Sequence, residues 1–257
     1  MNPPVLLHIP HSSTLIPERY LADYAVDAEA LRRENVRLAD MHTDALYVLP
    51  GAARAVFPVS RFLVDAERFE DDALEPMAAR GMGALYTVGT DLSPLRPDIA
   101  PPRREELLEQ YYRPHHRFLN AWADGMAGAE CLLIDCHSFP SRALPYELEK
   151  TQAERPEICI GTDPFHTPAR LSEAAVRGFR ARGYWTETDT PFSGTLTPSD
   201  HYRKNRSLCS IMIEVRKDLY MDEETGRKKE QFRQIRDHVT AVIQELCAVL
   251  GLDIIRN

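Results

Sequence analysis

The chain has 257 residues, 44% hydrophobic and 27% charged, which suits one sizeable globular core and excludes a disordered polypeptide. A net charge of −8, with acids and bases interspersed and no Lys/Arg-rich block, excludes the electrostatic footprint of a nucleic-acid or anionic-membrane binder. The longest apolar run falls far short of the roughly 20 residues of a membrane helix, and the start MNPPVLLHIPHSS lacks a basic region ahead of an apolar one, so the cytoplasm is the expected compartment.

In chain order, the first strand is expected over Pro4–Ile9, running out into His8-Ile9-Pro10-His11-Ser12-Ser13. In open α/β sheets ligands bind beyond the carboxyl ends of strands, where side chains leave the core. His11 is therefore placed to meet a ligand, while alternation turns His8 toward the sheet layer as a structural histidine. A helix over Ala28–Leu49 carries Asp40 and Asp44 at i and i+4, on one face, with His42 on another. A strand at Ala53–Pro58 leads into Ser60-Arg61-Phe62-Leu63-Val64-Asp65-Ala66-Glu67-Arg68. Here a guanidinium can grip a carboxylate with two parallel hydrogen bonds or stabilise an oxyanion, and Asp65 can orient one of the two arginines.

Leu92–Pro102 reads as a proline-rich loop, followed by a helix over Arg103–Gly128 and a strand over Glu130–Asp135 that ends in Cys136-His137-Ser138. This second strand-then-histidine pattern strengthens the first. A strand at Glu157–Gly161, a helix at Pro168–Arg182, an irregular stretch at Pro191–Ser207 and a strand at Leu208–Val215 come next. The last helix is expected over Glu223–Leu250, with Phe232, Ile235, Val239, Val242, Ile243, Leu246 and Val249 at helical spacing. Short strands alternating with helices indicate an α/β protein, a single domain over residues 1–257 with a mixed, mainly parallel sheet flanked by helices. The five cysteines (Cys131, Cys136, Cys159, Cys209, Cys247) form no CxxC pair and read as buried thiols.

Imidazole is the commonest nitrogen ligand of zinc, and a hydrolytic zinc site takes three protein ligands and leaves a position for water. His11 and His137 supply two, and Asp40 or Asp44 the third, with Asp40 preferred. Asp135 is a candidate hydrogen-bond partner that fixes the tautomer of a ligating histidine. Glu214 follows the buried run Cys209–Ile213, where an unpaired carboxylate is costly. It is the candidate general base, with a salt bridge to Arg216 as its structural alternative. Arg61, Arg68, Arg203 and Arg206 form local basic clusters suited to a small anionic substrate.

In order along the chain, PHSS, the Asp40–Tyr47 segment, SRFLVDAER, YYRPHHRFL, DCHS, GTD, PFSGTLTP and IMIEVRKDLY resemble the N-formylglutamate amidohydrolase family, from about Val5 to Tyr220. That family is similar in fold to zinc carboxypeptidases and aspartoacylases, so the resemblance implies a zinc at the carboxyl edge of the sheet and hydrolysis of an N-acyl amino acid, with N-formyl-L-glutamate as the family's named substrate. It implies His11, His137 and Asp40 as zinc ligands, Glu214 as catalytic glutamate and Arg68 as a contact to the substrate carbonyl or carboxylate. Tyr202 and Arg203 are candidates for a substrate carboxylate. Two positions depart from the family pattern: Ser13 stands for a glycine and Glu67 for an asparagine. An acid at 67 would repel an anionic ligand unless it pairs with Arg61 or Arg68. His116 matches a family histidine. A carboxypeptidase-like peptidase, which needs an open groove, and a metal-free binding protein of the same fold are the competing readings.

Overall fold

The apolar run Val5-Leu6-Leu7 opens strand β1 (Val5–Ile9) of a computed structural model that describes residues 3–97, 99–126, 128–147 and 154–253. Strand β1 lies between β2 (Ala53–Val56) and β3 (Cys131–Phe139), parallel to both. Strand β3 pairs in parallel with β6 (Leu208–Arg216), which carries β4 (Ile158–Gly161) antiparallel, and β5 (Thr186–Thr188) closes the edge parallel to β4. The result is one six-stranded mixed sheet in the order β2-β1-β3-β6-β4-β5, in which β4·β6 is the antiparallel pair. The α/β class and mainly parallel sheet expected from the sequence are observed.

Period-two alternation divides the strand side chains between two faces. Leu7, Ile9, Ile134, Cys136, Ile158, Ile160, Ile211, Ile213 and Val215 pack against α5 (Ala169–Ala181) and α6 (Phe232–Val249). Leu6, Ala55, Leu133 and Leu208 face the other way, onto Leu119, Trp122 and Ala123 of α4 (Arg113–Asp124). Both faces are covered, as parallel strands require.

The structure corrects several boundaries. Strand β3 runs to Phe139 rather than Asp135, so Asp135 and His137 lie inside a strand buried along its whole length. The three-residue edge strand β5 carries no apolar alternation and was not expected. The last helix begins at Phe232 rather than Glu223, because Asp222 turns the chain by accepting the Glu224 and Thr225 N–H groups. The expected Arg103–Gly128 helix starts at Pro101, in α3 (Pro101–Leu107), where a missing N–H costs nothing, and passes through a π-helical turn at Leu108–Tyr112 into α4. Ala127, within that expected span, lies outside the described residues.

The expected Ala28–Leu49 helix is two pieces, α1 (Ala28–Leu38) and α2 (Thr43–Leu46). Asp27 caps the start of α1 by accepting the Ala30 N–H at 2.7 Å. At its end, the ammonium of Lys217 donates to the Arg37 and Leu38 carbonyls at 3.0 and 3.2 Å. Ala39 is extended and His42 is left-handed at φ 70°, so Asp40 falls in the break. Among the described residues no helix is long and apolar enough to cross a membrane.

Candidate metal centre and active site

The α4-side face changes character toward the carboxyl ends of the strands. His8 pairs in register with Asp135, and His137 with Glu214, so these four side chains share that face beyond the apolar Leu6, Leu133 and Leu208. His11 follows β1, and its carbonyl accepts the Asp40 N–H at 2.9 Å, docking the helix break against the strand exit. Tyr47 donates to the His137 and Ile213 carbonyls at 2.9 and 2.7 Å, and Tyr220 to Ser138 Oγ at 2.8 Å. These bonds tie α2 and the chain after β6 to the edge that presents the site.

His11, Asp40 and His137 bring one donor atom each within 4.8 Å of one another. Asp40 Oδ2 lies 3.1 Å from His137 Nδ1 and 3.7 Å from His11 Nδ1. The three side chains are 2%, 2% and 4% exposed, in that order of residue, and His11 Nδ1 is buried with no hydrogen-bond partner. A buried imidazole nitrogen aimed at a carboxylate and a second imidazole is the donor set of a zinc position, with donor separations near the roughly 3.3 Å edge that four ligands at ~2.0–2.1 Å produce. The residues fit the ion.

The opposite nitrogen of each histidine is held. His11 Nε2 donates to Asp65 Oδ1 at 2.8 Å, which leaves Nδ1 as the lone-pair atom. Asp65 also accepts Arg61 Nη2 at 2.9 Å and the Tyr86 hydroxyl at 2.6 Å. Asp65 orients Arg61 as expected, and its hold on His11 is a role the local sequence did not reveal. His137 Nε2 lies 3.1 Å from both Asp135 Oδ1 and Glu67 Oε2. Glu67 thus meets His137 rather than Arg61 or Arg68. His8 donates from Nδ1 to Asp135 Oδ1 at 2.8 Å, so the histidine read as structural belongs to the same network. His116 Nε2 donates to the Ala66 carbonyl at 2.9 Å and Tyr112 to the Arg68 carbonyl at 2.7 Å. Those two bonds hold the Asp65–Arg68 segment and answer what His116 does. Gly161 admits the carbonyl of Gly194 where a Cβ would collide. Through this approach the Pro191–Ser199 loop crosses the sheet face and gives the Leu196 N–H to Asp135 Oδ2 at 2.8 Å.

The pocket expected to be positive is instead rich in acids. Asp40, Asp65, Glu67, Asp135 and Glu214 converge with three cations, Arg61, Arg68 and Lys217. Fully ionised, with neutral imidazoles, the group carries two negative charges, the deficit one divalent cation fills. Burial opposes a charged His137, yet Glu67 and Asp135 outweigh it and hold its pKa well above the usual range. Burial pushes Glu214 up to about 8 against the pull of His137. For Asp40, burial raises the pKa but His11 and His137 overcome it, so the carboxylate stays ionised.

Glu214 is 7% exposed, and its Oε2 has no hydrogen-bond partner. Arg216 pairs with Asp218 at 2.7 Å, so the salt bridge to Arg216 is absent. Arg68 Nε lies 4.0 Å from Asp65 Oδ2 and makes no hydrogen bond. It is the least engaged cation of the cluster, while Arg61 spends Nε and Nη2 on Asp65. Ser13 bonds the Pro58 carbonyl at 2.9 Å and serves the loop.

Three expected residues lie elsewhere. Asp44 is exposed in the first turn of α2, because the break at Asp40 removes the helical register that would align the two acids, and it stands apart from the His11, Asp40 and His137 donors. Tyr202 and Arg203 are exposed next to the start of β6, six residues along that strand from Glu214, a separation on the order of 20 Å. There the Arg203 N–H donates to His166 Nε2 at 2.9 Å, His201 meets Asp124 at 3.0 Å, and Arg206 lies over the Phe165 ring. The chain doubles back after the Pro191–Ser199 loop, so proximity in sequence to that loop did not carry these side chains to the site.

The family model for N-formylglutamate amidohydrolase matches residues 3–221. Among solved structures, an N-formylglutamate amidohydrolase from Ralstonia eutropha JMP134 is similar at 23% identity and a TM-score of 0.80, covering 98% of this chain and 94% of that one. A gene product of Agrobacterium tumefaciens is similar at 19% identity and a TM-score of 0.72, with 97% and 92% covered. At these identities the structural likenesses speak to the fold. A comparison with curated proteins finds no match.

Proposed function

This chain belongs to the N-formylglutamate amidohydrolase family, and from that premise we propose that it hydrolyses the amide bond of a small N-acyl amino acid in a zinc-dependent reaction, with N-formyl-L-glutamate as the first substrate to test. The observation that carries this reading is the convergence of His11 Nδ1, Asp40 and His137 Nδ1 beside the unpartnered carboxyl of Glu214. Zinc held by those three donors would polarise the acyl carbonyl and ease deprotonation of water.

The protein groups divide the remaining work. Glu214, buried and with its pKa near the working pH, takes the proton of the attacking water and delivers it to the leaving nitrogen. The Glu214 pKa would fall with a cation held beside it, which would favour the base form. Arg68, whose Nε makes no hydrogen bond, offers a guanidinium to the developing oxyanion or to a substrate carboxylate. Arg61 keeps Asp65 ionised, and Asp65 keeps His11 in the tautomer with Nδ1 free. The burial of His11, Asp40, His137 and Glu214, none more than 7% exposed, favours a small substrate over the open groove a peptidase needs. The cytoplasm is the compartment this reading assumes, where five buried free thiols are stable.

The test is turnover of N-formyl and N-acetyl amino acids by the zinc-loaded chain. Formate release from N-formyl-L-glutamate, abolished by a chelator and restored by zinc, is the expected result. A zinc-loaded chain that turns over none of these amides overturns the proposal.

A further inference from the structure

Behind His137, on the side away from Asp40, lies a second set of ionisable groups. His137 Nε2 is 3.1 Å from Asp135 Oδ1 and 3.1 Å from Glu67 Oε2. His8 Nδ1 is 2.8 Å from Asp135 Oδ1 and 3.6 Å from Glu67 Oε1, and that Glu67 oxygen is buried with no hydrogen-bond partner. His8, Glu67 and Asp135 are close enough to hold a second cation.

The hydrogen bonds of His8 decide between a second cation and a supporting network. Its Nδ1 faces the Asp135 carboxylate, so Nδ1 carries a hydrogen, and its Nε2, 2.9 Å from His115 Nε2, accepts the hydrogen of that ring. A ring engaged at both nitrogens presents no lone pair to a metal. The chain of donors runs instead from His115 through His8 to Asp135, which accepts from His137. Glu67 joins from a segment already fixed, since its own N–H donates to Asp65 Oδ1 at 2.9 Å and the neighbouring carbonyls are tied to α4 and to the π-helical turn before it. A buried carboxylate oxygen without a donor is costly and persists where a positive field offsets it. The field here is that of His137 and of a cation on its far side.

We propose that Glu67, together with the His8–Asp135 pair, is a positioning residue for His137: Asp135 accepts the Nε2 hydrogen and the Glu67 carboxylate sets its charge against the same nitrogen, which together fix Nδ1 as the lone-pair atom toward Asp40 and His11 and raise its donor strength. The proposal rests on the metal-centre reading above. It gives the negative charge at position 67 an address other than the substrate, because the carboxylate points at an imidazole. Its removal should therefore change the metal centre and kcat rather than KM.

The experiment compares the native full-length chain with Glu67→Gln and Glu67→Ala. Zinc equivalents per chain, zinc affinity by competition with a chromogenic chelator, and the visible spectrum of the cobalt(II)-loaded chain are read alongside kcat and KM for N-formyl-L-glutamate. Glu67 is 17% exposed at the end of a loop, so both variants should fold, with circular dichroism as the check. One zinc per chain is expected in all three, with affinity about tenfold weaker in Glu67→Gln and weaker again in Glu67→Ala, where the polar side chain beside Nε2 is lost as well as the charge. The cobalt bands should shift, kcat should fall and KM should stay within about twofold. Unchanged affinity and spectrum overturn the proposal, as does a change in KM alone, which would put Glu67 on the substrate. Two zinc ions in the native chain and one in Glu67→Gln overturn it in favour of a second cation site. A native chain with no zinc affinity overturns the metal-centre reading and this one together, whereas one that binds zinc without turnover fails only the substrate reading and is still judged by affinity and spectrum.

Discussion

On the face that packs against α5 and α6, the strands are apolar to their carboxyl ends, from Leu7 and Ile9 through Ile134 and Cys136 to Ile211, Ile213 and Val215. On the α4 face the same strands start with Leu6, Leu133 and Leu208 and then change to His8, Asp135, His137, Ser210 and Glu214, still buried. Strands of a doubly covered parallel sheet are ordinarily apolar on both sides. One face therefore supplies ordinary burial energy, while the other holds close-set like charges that only protons or a cation reconcile. The lesson is that stability and chemistry are separated by the pleat, one residue apart along each strand, so the two can be perturbed independently.

The sharpest way to break that separation is Glu214→Gln, which keeps the shape of the α4 face and removes a proton carrier. It should cost about a thousandfold in kcat, near 4 kcal/mol of barrier, with zinc content and thermal midpoint retained. Normal turnover would remove Glu214 from the reaction. The reciprocal change is Ile211→Ala, on the α5/α6 face, which should cost about 3 kcal/mol in denaturant-induced unfolding while zinc stoichiometry and kcat of the folded fraction are preserved. A loss of zinc binding in this variant would show that the faces are coupled.

A smaller effect concerns pH in the metal-stripped chain. Burial raises the Glu214 pKa to about 8 from the ordinary glutamate value of 4.5, so the folded state holds a proton that the unfolded state releases. That contribution to stability is complete below about 4.5 and is lost as pH rises toward 8. Native and Glu214→Gln chains should diverge over this window by the order of 1 kcal/mol per pH unit in favour of the variant, and parallel pH–stability curves would contradict the raised pKa. The smallest effect is expected from Asp44→Asn, within about 0.5 kcal/mol of native stability and with unchanged zinc affinity. A large loss of zinc there would restore Asp44 as a ligand.

Much of the site was legible locally. His11, His137 and Glu214 each sit where an apolar run meets a polar residue, and period-two alternation is enough to place such residues at a strand end on one face. The family resemblance then ordered those segments. Asp40 against Asp44 could not be separated, since a helical pattern runs through both and no glycine or proline marks the break. His8 reads as structural and is held in the sheet layer; what its local sequence does not show is that its partner across the sheet is Asp135 and not a leucine.

By itself, then, the sequence determined five of the six strands, the apolar face and the candidate histidines and glutamate, because burial and strand period are written in neighbouring residues. Tertiary structure alone decided where α1 stops, through a lysine 180 residues away from the Arg37 carbonyl that it caps. It also decided that Glu67 faces His137, that Asp65 holds His11, and that Tyr202 and Arg203 lie at the other end of β6. Each of these is a hydrogen bond or a register between distant segments. Such pairings leave no periodic trace in either segment, and they are what turns two histidines, one past the end of β1 and one within β3, into a candidate metal centre.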